Sequence, residues 1–169
     1  MNRRAVLTLT VSLAAGLALA GCSAESSAST SDSGSAASAA STAPGGIPKL
    51  QVTGAFMPQP VGDLAAGFLV VTNKGGGADR LTSVTSDISD NISIHKTENQ
   101  RMEEVTSFPV PAGGTLDLER GGNHIMFMSI KKQPKKGQTI DVELHFEKSG
   151  PVKVELPVKE TNYNPATQQ

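Results

Sequence analysis

Two of the chain's three histidines and three of its five methionines fall between Ile94 and Met128. The stretch opens on Ile94-His95-Lys96-Thr97, passes Met102 and closes on Gly121-Gly122-Asn123-His124-Ile125-Met126-Phe127-Met128. His124 and Met126 are two residues apart, and alternate side chains of a strand point to one face. An imidazole and a thioether then stand side by side, with Ile125 and Phe127 turned the other way into a core. Soft thioether sulfur with borderline imidazole nitrogen suits Cu(I) better than magnesium or calcium. No Ser-His-Asp order, catalytic carboxylate pair or phosphate-binding glycine loop stands out in the sequence. Metal binding without catalysis is the chemistry this points to.

The elements that must position these residues read as short strands at 51–57, 66–72, 81–85, 91–95, 114–118, 124–130, 139–146 and 152–158. Each is rich in β-branched residues or alternates in polarity. Between them lie Met57-Pro58-Gln59-Pro60, Asn73-Lys74-Gly75-Gly76-Gly77, Pro109 to Gly114, Glu119 to Asn123 and Ser149-Gly150-Pro151, which is turn chemistry. No segment has a helical period. Many short strands between Gly/Pro turns predict an all-β domain, an antiparallel sandwich or barrel.

Residues 1–22 read as a targeting segment. Arg3 and Arg4 form a positive start, and Ala5 to Ala20 is too short and too small-residue-rich for a stable span. Leu19-Ala20-Gly21-Cys22 resembles the lipobox of bacterial lipoproteins, which implies cleavage before Cys22 and lipidation of that residue. Cys22 is the only cysteine, so the domain itself has no thiol and can form neither a disulfide nor a thiolate-ligated blue-copper site. Residues 23–48, nearly all Ser, Ala, Thr and Gly, read as a flexible tether with a reach of roughly 25–30 Å. The folded copper-binding domain is expected over 49–158, and 159–169 as a disordered polar tail. The chain has 15 Lys+Arg and 16 Asp+Glu; removing Arg3 and Arg4 leaves 13 against 16. With no basic stripe and few aromatics, nucleic acid is not the expected partner.

A wider pattern runs through Thr72-Asn73-Lys74-Gly75, Asp79-Arg80-Leu81, His95, Met102, Pro111-Ala112-Gly113-Gly114 and Gly121 to Met128. It continues through Gly137-Gln138-Thr139 and Leu144-His145-Phe146-Glu147-Lys148. Taken together it resembles the PCuAC copper chaperones, from about Val52 to Val158. The resemblance implies a cupredoxin-like β-sandwich of Greek-key type that binds Cu(I) outside the cytoplasm. It also implies delivery to an acceptor, such as a cytochrome oxidase subunit or another copper chaperone. The ligands it implies are His95, Met102, His124 and Met126. The 21 residues between Met102 and His124 match the family frame. Only six, Lys96 to Arg101, separate His95 from Met102, fewer than the family usually has, and Gln100 stands where it often has a second Met.

The remaining candidates have blander readings. Met128 shares the face of His124 and Met126 but lies further along, and reads as packing. Met57 reads as packing or surface, His145 as a solvent-facing histidine, and Glu103-Glu104 as a solvated turn. Three function classes follow: a copper chaperone anchored to the extracytoplasmic membrane face through Cys22, a copper-sequestering or sensing lipoprotein, and a non-metal surface-interaction module.

Overall fold

A computed structural model describes residues 46–165. Residues 1–45, with the targeting segment, Cys22 and most of the tether, lie outside the described residues, as do 166–169. Ten strands follow in order: β1 (Leu50–Pro58), β2 (Ala65–Asn73), β3 (Asp79–Thr85), β4 (Asn91–Glu98), β5 (Arg101–Val105), β6 (Phe108–Val110), β7 (Thr115–Leu118), β8 (His124–Met128), β9 (Thr139–Phe146) and β10 (Gly150–Lys159).

The strands pair in the order β5-β4-β8-β2-β1-β10-β9-β3-β6, with β7 also on β2. The first and last strands, β1 and β10, run parallel through Met57–Val158 and Pro58–Lys159, and every other strand pair is antiparallel. Leu69, Val71, Ile125 and Phe127 from one half share a single core with Leu81, Val110, Leu144 and Leu156 from the other. The expected all-β sandwich is therefore present, with a mixed sheet whose one parallel pair joins its halves.

Alternation explains why β8 holds its place. Ile125 and Phe127 are fully buried while Met126 and Met128 are only partly covered. Burying a side chain such as Phe127 contributes about 1.5–3 kcal/mol, enough to pin the strand's register. Gly67 on β2 pairs with Ile125, and a Cβ there would meet the Phe127 ring at 3.0 Å and Leu156 at 3.2 Å. Glycine at 67 makes room for the two side chains that lock β8 down.

Several expectations change in detail. The strand at 91–95 extends to Glu98, and β5 and β6 are strands that the sequence pattern does not predict. The strand at 124–130 stops at Met128, because Ser129 turns to φ 53° and the Ile130 amide donates to the Asp63 carbonyl instead. Met57 is 0% exposed, so it is packing and not surface. Residues 160–165, expected from their polarity to be a free tail, lie against the domain: the Tyr163 ring meets Phe56 edge-on at 5.0 Å.

Candidate metal centre

Strands β4 and β8 pair with His95 opposite His124, Ile94 opposite Ile125 and Ser93 opposite Met126. Directly opposed residues of an antiparallel pair share a face. His95, His124, Ser93 and Met126 therefore occupy one face, and Ile94 and Ile125 the core face. The two imidazoles stack, with ring centroids 5.5 Å apart and planes 18° from parallel.

The short spacing between His95 and Met102 is a tight hairpin. Glu98 pairs with Arg101 across Asn99 and Gln100, whose φ values of 51° and 62° are those of a two-residue type I′ turn. Thr97 then stands opposite Met102 and His95 opposite Glu104. Since His95 and Thr97 alternate along β4, Met102 comes back onto the face of the two histidines. Glu103 and Glu104 belong to this edge strand, not to a turn. Glu103 points to the other face, where it and Glu98 each lie 3.4 Å from Lys96 and hold that ammonium above its ordinary pKa.

His124 is placed by an outward loop. Leu118 of β7 pairs with Leu69, and the next residue on that edge of β2 is Ile125, opposite Gly67. Glu119 to Asn123 is thus pushed out of the sheet. Glycine at 121, with φ 81°, and hydrogen bonds from Glu119 N to Asn123 O (2.8 Å) and Gly122 N to Glu119 O (3.0 Å) close the loop. The Gly122 carbonyl lies 3.0 Å from His124 Nδ1. A carbonyl only accepts, so Nδ1 donates its proton, and Nε2 carries the lone pair.

His95 has the complementary arrangement. Its Nε2 lies 2.8 Å from Ser93 Oγ, while its Nδ1 is buried with no hydrogen-bond partner. It is the one such side-chain atom among the described residues. A buried polar atom without a partner costs about 1–3 kcal/mol, and a metal bond is one way to satisfy it.

Met102, His124 and Met126 line one cleft of ≈ 670 Å³ together with Thr97 and Phe68. His95 is not among its lining residues; it lies against His124. Met102 is 62% exposed and His124 only 7%, so the donor set runs from solvent to interior.

Residues 50–158 match the family described as Putative lipoprotein LpqE-like. The chain belongs to this LpqE-like family. It is 34% identical over 116 residues to the protein named Putative lipoprotein Lxx21020, from Leifsonia xyli subsp. xyli, a match covering 66% of this chain and 70% of that one. Its fold is similar to that of the apo PmoF2 PCuAC domain (TM-score 0.62, 21% identity, 70% of this chain and 95% of that one). It is similar also to the copper-bound PCuAC domain from PmoF2 (TM-score 0.60, 22% identity, 68% and 95%). A third similar fold is that of CuI-DR1885 from Deinococcus radiodurans (TM-score 0.56, 24% identity, 74% and 85%). The PCuAC-like fold expected from the sequence is borne out.

In this LpqE-like domain Met102, Met126, His95 and His124 share one face of β5, β4 and β8. Among the described residues no group of three or more His, Cys, Asp or Glu side chains could hold a metal ion. Thioether sulfur and imidazole nitrogen together suit a soft cation. Met128 stands opposite Asn91, one alternation beyond the Ser93–Met126 pair and further from the histidines. His145 lies on the other half of the sandwich, with Nε2 3.0 Å from Thr85 Oγ1 and 3.6 Å from Glu143. The residue that sequence reasoning missed is Arg120. It lines the same cleft, and no motif draws attention to it.

Proposed function

We propose that this LpqE-like protein is an extracytoplasmic Cu(I)-binding metallochaperone, tethered to the membrane through lipid on Cys22. His95, Met102, His124 and Met126 are its copper ligands. The observation that carries this reading is the meeting of two imidazoles and two thioethers on one face of β5, β4 and β8. The buried, unpartnered His95 Nδ1 supports it further. His124, whose Nδ1–H donates to the Gly122 carbonyl, offers Nε2 to the metal; His95 offers Nδ1.

Copper is cargo here, and the ligand chemistry suits carriage. Outside the cytoplasm thiols tend to oxidise to disulfides, whereas thioethers do not. An uncharged thioether also holds Cu(I) less firmly than a thiolate, so the metal can leave by ligand exchange to a thiolate-rich acceptor, such as a cytochrome oxidase subunit or another copper chaperone. Exposed Met102 is the ligand an incoming acceptor reaches first. The chain works by binding and transfer, not as an enzyme.

Titrating the purified protein with Cu(I) under reducing conditions, against a chromogenic chelator, should give one copper per chain and much weaker Zn(II) binding. Zinc affinity comparable to that for Cu(I), or Cu(I) binding untouched by His124→Ala and Met126→Ala together, would overturn the reading. Cys22→Ser should release the protein from membranes.

A further inference from the structure

We propose that Arg120 is a positioning residue for the copper site, acting through the segment 160–165 that it pins along one wall of the cleft. This rests on the reading of the cleft as a Cu(I) site. Arg120 stands in the outward loop, two residues before the Gly122 carbonyl that accepts the hydrogen bond from His124 Nδ1. Its Nη1 donates to the Thr161 carbonyl (3.2 Å) and the Tyr163 carbonyl (3.1 Å). Hydrogen bonds from a charged donor are roughly twice as strong as neutral ones, and both acceptors lie on one short segment.

That segment has no ladder of its own. The parallel pairing of β10 with β1 ends at Lys159. Beyond it, the Thr161 hydroxyl donates to the Gln59 carbonyl (3.2 Å), Glu160 pairs with Lys136, and Tyr163 packs edge-on to Phe56. Phe56 in turn packs on Phe68 with ring centroids 5.1 Å apart. Phe68, Thr161 and Arg120 all line the cleft that holds His124 and Met126.

The loop needs such an anchor. It carries Gly121 and Gly122, whose backbones have more freedom than any others. Where the Gly122 carbonyl points decides which nitrogen of His124 keeps its proton, and so which one is offered to copper. Arg120 fixes the loop from outside, and the segment it holds narrows the route by which a competing ligand reaches the metal.

Tyr163 is the only tyrosine and the chain has no tryptophan, so its emission reports on this segment alone. The test uses the full chain, its Arg120→Ala and Arg120→Lys variants, a chain ended after Lys159, and the double variant. In the metal-free protein, Arg120→Ala should open Tyr163 to acrylamide quenching and move the His124 ring-nitrogen NMR signals from one tautomer towards a mixture. Cu(I) transfer to a chelator should be about tenfold faster in Arg120→Ala and in the shortened chain, the worth of one such contact. The double variant should be no faster than either, because both changes break one connection, and Arg120→Lys should recover part of the loss. Unchanged His124 signals and transfer rate in an Arg120→Ala chain whose Tyr163 has become accessible would overturn the proposal. So would additive effects in the double variant. Wild-type protein that takes up no Cu(I) would overturn the copper reading instead, while the metal-free His124 signals still decide the role of Arg120.

Discussion

His95 and His124 face each other across β4 and β8, ring against ring at 5.5 Å. They are 29 positions apart in sequence, and the core residues beside them, Ile94 and Ile125, fix their meeting. The site is thus set by strand register, which the apolar face of each strand enforces.

Ligand removal should follow from this arrangement. His95→Ala, Met102→Ala, His124→Ala and Met126→Ala should each weaken Cu(I) by more than the roughly 10–100-fold expected for losing a residue that merely hydrogen-bonds to a ligand. Ser93→Ala, which removes the partner of His95 Nε2, should fall within that lower range. Met57→Ala and His145→Ala should leave chelator-competition affinity unchanged. If His95→Ala does the same, Met128 is the residue to substitute next.

The β4–β5 turn offers a stability test. Position 100 of the type I′ turn has φ 62° and is filled by Gln, where Gly is the usual choice. Relief of left-handed strain, less the entropy that glycine adds to the unfolded chain, should make Gln100→Gly more stable by roughly 0.5–1 kcal/mol. Urea unfolding at neutral pH measures this directly.

That turn also marks where the sequence stops being legible. Ile125 and Phe127 announce β8 by alternation, and His124 and Met126, which alternate with them, announce the candidate donors. β5 has no such pattern: Arg101, Met102, Glu103 and Glu104 are all exposed, and the strand exists through pairing with β4. Asn99-Gln100 lacks the Asn-Gly signature, so nothing local predicts a two-residue hairpin. β6 hides because Pro109 at its centre argues against a strand, though it pairs there with Arg80 on the sheet edge. The contact of Arg120 with Thr161 and Tyr163 joins residues about 40 positions apart by main-chain acceptors, which carry no sequence signal at all.

Asp79 gives a pH dependence. It is 2% exposed, and burial alone would raise its pKa. Hydrogen bonds from the Ser149 hydroxyl and from the backbone amides of Lys148, Arg80 and Ser149 outweigh that and hold the carboxyl below its ordinary value. A depressed folded pKa stabilises the fold above the unfolded value, and that contribution is lost as pH falls through the folded one. Unfolding free energy should therefore drop in acid below about pH 4. Asp79→Asn should cost about 2–3 kcal/mol at neutral pH and flatten the acid limb. An unaltered acid limb in the variant would rule Asp79 out as its source.

The triglycine turn is more than a connector. A Cβ on Gly77 would lie 1.9 Å from the Gly46 carbonyl oxygen, and one on Gly75 would lie 2.2 Å from that of Ile47. The buried Asn73 side chain ties the same region together, accepting from the Lys49 and Gly75 amides. Gly77→Ala should destabilise the domain by about 2 kcal/mol or more, whereas Gly113→Ala, with open space around it but φ 68°, should cost about 1 kcal/mol. Thermal unfolding of the two variants side by side checks the order.

X-ray absorption at the copper edge of the Cu(I)-loaded protein tests the central claim most directly, because it reads the ligand atoms themselves. Two sulfur and two nitrogen scatterers should surround the metal, one sulfur should vanish in Met102→Ala and one in Met126→Ala, and one nitrogen in each histidine variant. A shell of nitrogen and oxygen alone, unchanged in both methionine variants, would contradict a His/Met copper site.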